Sequence, residues 1–191
     1  EGDYSSADSA TSSRGAITVC ATDAAGERAP YSERGSNLTI CAPSGRSTTP
    51  ASAPEITTTS VKDKYTDDFG GTSASAPMVS GVAALMLQAN PRLTWRDVPL
   101  ILARTARQVD VSKGGWSERR SPLAGVSGHD VLRYSHHYGF GVVDAEAATR
   151  LARTWQSVGG SAEQRKCGPF RLQVGKPIPE ADIVAQQQAG S

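Results

Sequence analysis

Charge of one sign is missing from this sequence: 20 lysines and arginines are balanced by 19 aspartates and glutamates, a formal net charge of +1. So even a balance supplies no field for a polyanion, and neither nucleic acid nor an anionic membrane is an expected partner. Long apolar runs are missing as well. The longest, residues 78–87, is interrupted by Ser80 and Gly81 and is too short to span a bilayer. No basic-plus-apolar leader opens the chain, which starts without Met on an acidic, Ser-rich stretch over residues 1–13. That start predicts a processed chain or a piece of a longer one. Cysteine is scarce: Cys20, Cys41 and Cys167 are too few, and odd in number, for a disulfide scaffold. Cys20 and Cys41 lie in apolar, strand-like runs and are expected as small buried hydrophobes. Cys167 sits in a polar tail beside Arg165 and Lys166, a candidate half of a disulfide with a cysteine beyond the chain's end. There are no internal repeats, and 191 residues suffice for one domain with a core.

What is present centres on Gly71-Thr72-Ser73-Ala74-Ser75-Ala76-Pro77. A small-residue turn, Gly70-Gly71-Thr72, delivers the hydroxyl of Ser73 to the mouth of an uncharged apolar run. As a helix this run has too few polar residues for one wet face, so burial nearly all round is expected. Ser73 would then sit among the N–H groups that a first helical turn leaves unpaired, at the positive end of the dipole. Chemistry that builds negative charge on an oxygen profits from that placement.

The remaining elements follow from composition. Residues 16–22 and 37–42 are β-branched and apolar, which predicts strands buried on both faces, as in a parallel sheet. The Asn37-Leu38-Thr39 sequon abuts the second and is expected to stay unglycosylated. Residues 44–68 read as a long Ser/Thr/Pro loop with one short strand at 56–59. The Ser73 helix stops at Asn90-Pro91. Thr94 reads as the N-cap of a second helix to about 107, with Asp97 three residues on. Residues 108–136 read as loop. A third helix runs from about Ala145 to Trp155, with Ala145, Ala148, Leu151, Ala152 and Trp155 on one face. Beyond residue 157, Gly159-Gly160-Ser161, Pro177, Pro179 and Gln186-Gln187-Gln188 predict linker or tail, with one strand at 170–174.

Residues 71–81 resemble, at every constrained position, the nucleophile signature of subtilisin-like serine proteases. Leu93-Thr94-Trp95-Arg96-Asp97-Val98, Ser135-His136, Tyr138-Gly139-Phe140-Gly141-Val142-Val143-Asp144-Ala145 and Gln164-Arg165-Lys166-Cys167 narrow the likeness to the kexin/furin-type proprotein convertases. The resemblance implies an α/β fold, a subtilisin-like three-layer sandwich with a parallel β-sheet and helices on both faces. Residues 1–156 would be the C-terminal part of the peptidase domain, and residues 157–191 a linker and the start of a truncated P domain. It also implies that Ser73 is the nucleophile and that Asp8 lines the primary specificity pocket. Asp3 and Glu33, the latter from Tyr31-Ser32-Glu33, would be ligands of a Ca2+ ion below that pocket. Several carboxylates suit a hard cation, and residual negative charge facing the pocket favours Arg or Lys side chains. Asp8-Ser9-Ala10 departs from the family's Asp-Gly-Tyr, so no second, distal basic preference is implied, and Phe69-Gly70 replaces its usual His-Thr.

Ser73 needs a base oriented by a third group, and the family order is Asp, His, Ser. Here His129, His136 and His137 all follow Ser73, and the oxyanion asparagine would fall just before Glu1. The expected activity is therefore that of a larger parent: a calcium-dependent serine endopeptidase of the secretory pathway, extracellular or membrane-anchored through other segments. Its substrates would be proteins or peptides with basic cleavage sites. Two alternatives stand beside it: a subtilisin-like protease of broad or apolar specificity, and a non-catalytic protein-binding remnant. Missing strands would leave an apolar patch on the Ser73 helix, and the isolated chain is expected to fold poorly.

Overall fold

A computed structural model of the chain describes residues 4–45, 56–120 and 131–159. Its frame is two parallel strands, β1 (Thr18–Thr22) and β2 (Leu38–Pro43), in the register Cys20↔Cys41, Ala21↔Ala42 and Thr22↔Pro43. Both are apolar and deeply buried, as the β-branched runs predict. Parallel strands need a long crossover; here it is a turn-rich connection that folds back on β1, with Thr22 bridging Arg28. Residues 141–143 extend the sheet: Val142 pairs with Cys41 on one side and Arg107 on the other. Gly139 makes this close approach possible. Its φ is 59°, and a Cβ there would lie 2.6 Å from the carbonyl oxygen of Thr39.

Cys20 and Cys41 correct the expectation of two buried thiols. They are buried, but they form a disulfide, because the β1–β2 register sets them directly opposite one another. Closing a loop of this size stabilises by about 3 kcal/mol through the unfolded chain.

Three helices cover one side of this frame: α1 (Thr72–Ala89), α2 (Asp97–Thr105) and α3 (Ala145–Thr154). Ile40 and Ala42 of β2 pack with Val79, Val82 and Met86 of α1, Ile101 and Leu102 of α2, and Ala148 and Ala152 of α3. Alternation along the strand turns Cys41 the other way, into a second cluster with Cys20, Leu38, Tyr138 and Val142. Trp116 stacks on Tyr138 there, with ring centroids 5.7 Å apart.

Two antiparallel strand pairs lie in stretches read mainly as loop, the first of them containing the short strand expected at 56–59. β3 (Ile56–Ser60) pairs antiparallel with β4 (Lys64–Phe69), and β5 (Ser117–Arg120) with β6 (Val131–Tyr134). The second helix also starts later than expected. Thr94 does not cap it; its N–H and hydroxyl instead donate to the Asp97 carboxylate at 2.6 and 2.8 Å. Asp97 is pulled inward because Trp155 Nε1, the Ser157 hydroxyl and the Val158 amide donate to it as well. The third helix begins as expected, with Asp144 as N-cap accepting from the Ala147 amide at 2.8 Å. Asp3, His129, Cys167, the 170–174 strand and the expected tail beyond residue 159 lie outside the described residues.

Candidate active site

Gly71 precedes α1 with φ 79° and ψ 172°, a left-handed conformation that a side chain would strain. The turn lifts Ser73 to the exposed rim of the helix's first turn. Pro77 lies four residues on and has no N–H to give to the Ser73 carbonyl, so the ordinary helical bond is missing there. The first turn is held by side chains instead. Ser75, fully buried, donates to the carbonyls of Ala42 at 3.0 Å and Pro43 at 3.2 Å. Ser44 donates to the Gly71 carbonyl at 2.7 Å, and the Tyr31 hydroxyl lies 2.9 Å from Ser44 Oγ. The C-terminal end of β2 is thus fastened to the turn that presents Ser73. This is a placement suited to a nucleophile: an exposed hydroxyl on a fastened mount, at the helix end whose dipole favours negative charge.

Neither described histidine reaches it. The His136 carbonyl accepts from Gly35, ahead of β2, and the His137 carbonyl lies 3.9 Å from Cys41 Sγ, on the disulfide side of the sheet. Cys41 faces away from α1, which carries Ser73, and no hydrogen bond among the described residues links either histidine to Ser73. His137 instead lines a shallow polar cleft of about 230 Å³ with Glu27, Arg28, Asp110, Lys113 and Tyr138. Burial, then the charges of Arg28, Arg34 and His136, lower its pKa against the opposing pull of Asp110. Tyr138 ties this cleft together: its hydroxyl accepts from the Arg28 amide at 2.9 Å and donates to Asp110 at 3.1 Å. Ser73, Asp8 and Glu33 are not among the residues that line it.

Asp8 closes an exposed turn. Its two carboxylate oxygens accept from the amides of Ala10 at 3.3 Å and Thr11 at 3.0 Å. The Thr11 amide, then that of Ala10, hold its pKa below the ordinary value, so it carries its charge at neutral pH. Each oxygen retains a free lone pair for a cationic partner. Glu33 is exposed on the neighbouring segment. The two segments abut: Tyr4 and Arg34 form a parallel bridge, the Ser5 amide donates to the Arg34 carbonyl at 3.0 Å, and the Arg34 guanidinium lies over the Tyr4 ring. Among the described residues no cluster of three or more His, Cys, Asp or Glu is arranged to hold a metal, and no hydrogen bond or ion pair joins Asp8 or Glu33 to Ser73. Nothing in the sequence marks Ser44, Ser75 or the sequon residue Asn37 for a supporting role. Hydroxyls and amides carry no periodicity, and their partners are 27 to 33 residues away.

Residues 1–141 match the model of the subtilase family, Peptidase_S8. Proprotein convertase subtilisin/kexin type 6 of Rattus norvegicus is 40% identical over 161 residues, 83% of this chain and 16% of that protein. Protease KEX1 of Kluyveromyces lactis is 36% identical over 157 residues, 82% of this chain and 19% of that protein. Among solved structures, the serine protease of Aeromonas sobria superposes with a TM-score of 0.68 at 26% identity, over 82% of this chain and 32% of that one. The chain thus spans under a fifth of the curated relatives it matches and about a third of the solved one.

Proposed function

Since the chain belongs to the subtilase family of serine proteases, we propose that it carries the nucleophile and part of the specificity pocket of a calcium-dependent endopeptidase that cuts after basic residues. The observation that carries this reading is Ser73: the signature serine is exposed on the first turn of α1, on a mount that Ser44 and Ser75 fasten to β2. Ser73 Oγ attacks the scissile carbonyl. The helix dipole favours the negative charge that develops on the carbonyl oxygen. In the family order the base and its carboxylate come ahead of the nucleophile, so His136 and His137, which follow Ser73, are not assigned that role. Asp8, ionised and with free lone pairs, pairs with the Arg or Lys side chain of the substrate.

Asp3 and Glu33 would hold the calcium ion, as the resemblance implies. Carboxylates are the hard oxygen donors that calcium takes, and Glu33 is exposed and open to such a partner. The ion, when bound, would supply a fixed positive charge. Protein or peptide substrates follow from the family, and a secretory-pathway setting is favoured by the Cys20–Cys41 disulfide. No helix among the described residues is long and apolar enough to cross a membrane.

The test is fluorophosphonate labelling of the full product of the reading frame, with and without a calcium chelator. Calcium-dependent labelling mapped to Ser73 supports the reading. Absence of labelling in folded protein favours a non-catalytic binding role, and labelling indifferent to chelator removes calcium from the proposal.

A further inference from the structure

The segment that presents Asp8 has no apolar anchor. The 3-10 turn Ser5–Ala7 buries none of its residues, and residues 7–10 are exposed. What fixes it is polar, and most of that converges on one side chain. Asn37 Oδ1 accepts from the Ser5 hydroxyl at 2.6 Å, while Nδ2 donates to the Ser5 carbonyl and to Thr11 Oγ1, both at 3.1 Å. The acceptor and both donors of the amide are thus engaged. Thr11 Oγ1 passes the restraint on, donating to the Ser5 carbonyl at 2.8 Å, while the Thr11 amide holds the Asp8 carboxylate. Asn37 itself rests on the rigid frame. It precedes Leu38, the buried first residue of β2, and Gly35 nearby is held by the His136 carbonyl and the Tyr134 hydroxyl.

We propose that Asn37 is a specificity-positioning residue: its amide clamps the loop that presents Asp8 to a basic substrate side chain. The inference rests on the reading of Asp8 as the pocket acid. It also gives a physical reason for the expectation that the sequon stays unglycosylated. A glycan on Nδ2 would consume a donor that the clamp uses, so loop order and modification at Asn37 exclude each other.

The experiment compares kcat/KM for peptides with Arg or Leu before the cut, in the full product of the reading frame. Asn37→Ala is expected to lower the Arg-over-Leu ratio by about 10- to 100-fold, mainly through KM for the Arg peptide, with fluorophosphonate labelling of Ser73 retained. Asn37→Asp, which keeps the acceptor and loses the donors, falls between. Thr11→Val attacks the clamp from the loop side and keeps the test decisive if Asn37→Ala fails to fold. Calorimetric affinity for an arginine-ending peptide repeats the comparison without turnover. An unchanged ratio in Asn37→Ala and Thr11→Val, while Asp8→Asn abolishes the Arg preference, overturns the clamp and leaves the pocket reading intact. An unchanged ratio in Asp8→Asn overturns the pocket reading and the clamp with it. Equal losses on both peptides reduce Asn37 to a structural residue and also overturn the proposal.

Discussion

Helices α1 and α3 pack against one another in one cluster, yet they treat their outer faces in opposite ways. α3 buries Ala148 and Ala152 and turns Glu146, Arg150 and Arg153 to water. Its polar side is complete. α1 buries Val79, Val82 and Met86, but its other side carries Pro77, Gly81, Ala84, Leu85 and Leu87, and Leu85 and Leu87 are 47% and 42% exposed. A helix that is apolar all round is stable in water only when something lies on every side. α3 is thus written for the surroundings seen here, and α1 for more surroundings than the described residues provide. The Ser73 turn sits at the head of the helix whose packing is unfinished.

The sharpest test of the finished side is Asp97, which joins the start of α2 to the chain leaving α3. Its carboxylate is fully buried and takes five hydrogen bonds. Asp97→Ala leaves the Trp155, Ser157 and Val158 donors without their acceptor, and a loss of about 1–3 kcal/mol is expected for each that stays buried and unpaired. Urea denaturation of the full product reads it. The pH dependence has a definite sign. Burial alone would raise the Asp97 pKa; the hydrogen bonds of Ser157, Thr94, Val158 and Trp155 outweigh it and hold the carboxyl well below its ordinary 3.8. A depressed pKa contributes stability that is fully present above the ordinary value and is lost as pH falls through and below it. The urea midpoint should therefore drop below about pH 4 in the parent and flatten in Asp97→Asn. A midpoint equally steep in both would remove Asp97 from the acid response.

Comparing the two faces of α1 itself comes next in size. Met86 is fully buried among helix and strand side chains, and Met86→Ala should cost about 2–5 kcal/mol. Leu85→Ala, one position along, should fall within about 0.5 kcal/mol in the isolated chain, as exposed positions do. The same Leu85→Ala in the full product measures whether that face is covered there. A cost approaching that of Met86→Ala means covered; an unchanged small cost means the face stays open. A cooperative, high-temperature melt of the isolated 191-residue chain would count against the expectation that it folds poorly.

The parts of the fold legible in sequence are those whose causes are local. β1, β2, α1 and α3 announce themselves by apolar runs, by a 3.6-residue stripe and by caps within three residues, and Ser73 by seven contiguous positions. Of the two surface strand pairs only β3 does, through its Ile-Thr-Thr-Thr run. β4, Lys64–Phe69, alternates no buried face, and the turn into it uses Lys62 and Asp63 at φ 59° and 55°, where no glycine marks the place. The disulfide depends on register, which neither strand states alone. Thr94 and Asp97 look like a capping box until Trp155, nearly sixty residues on, claims the carboxylate. Of the site, the motif gives the nucleophile, while its supports, Ser44, Ser75 and Asn37, act through long-range hydrogen bonds that only the fold creates.

The smallest expected effect lies on α3's water side. Glu146 and Arg150, four apart and 3.4 Å from one another, are both largely exposed. Such a pair contributes about 0.3–0.5 kcal/mol on a helix surface and is screened by salt. Arg150→Ala should therefore change the urea midpoint barely, and not at all at high salt. A larger loss would mean that α3's outer face carries a contact of its own, and the contrast with α1 would shrink from open against finished to two faces both awaiting a partner.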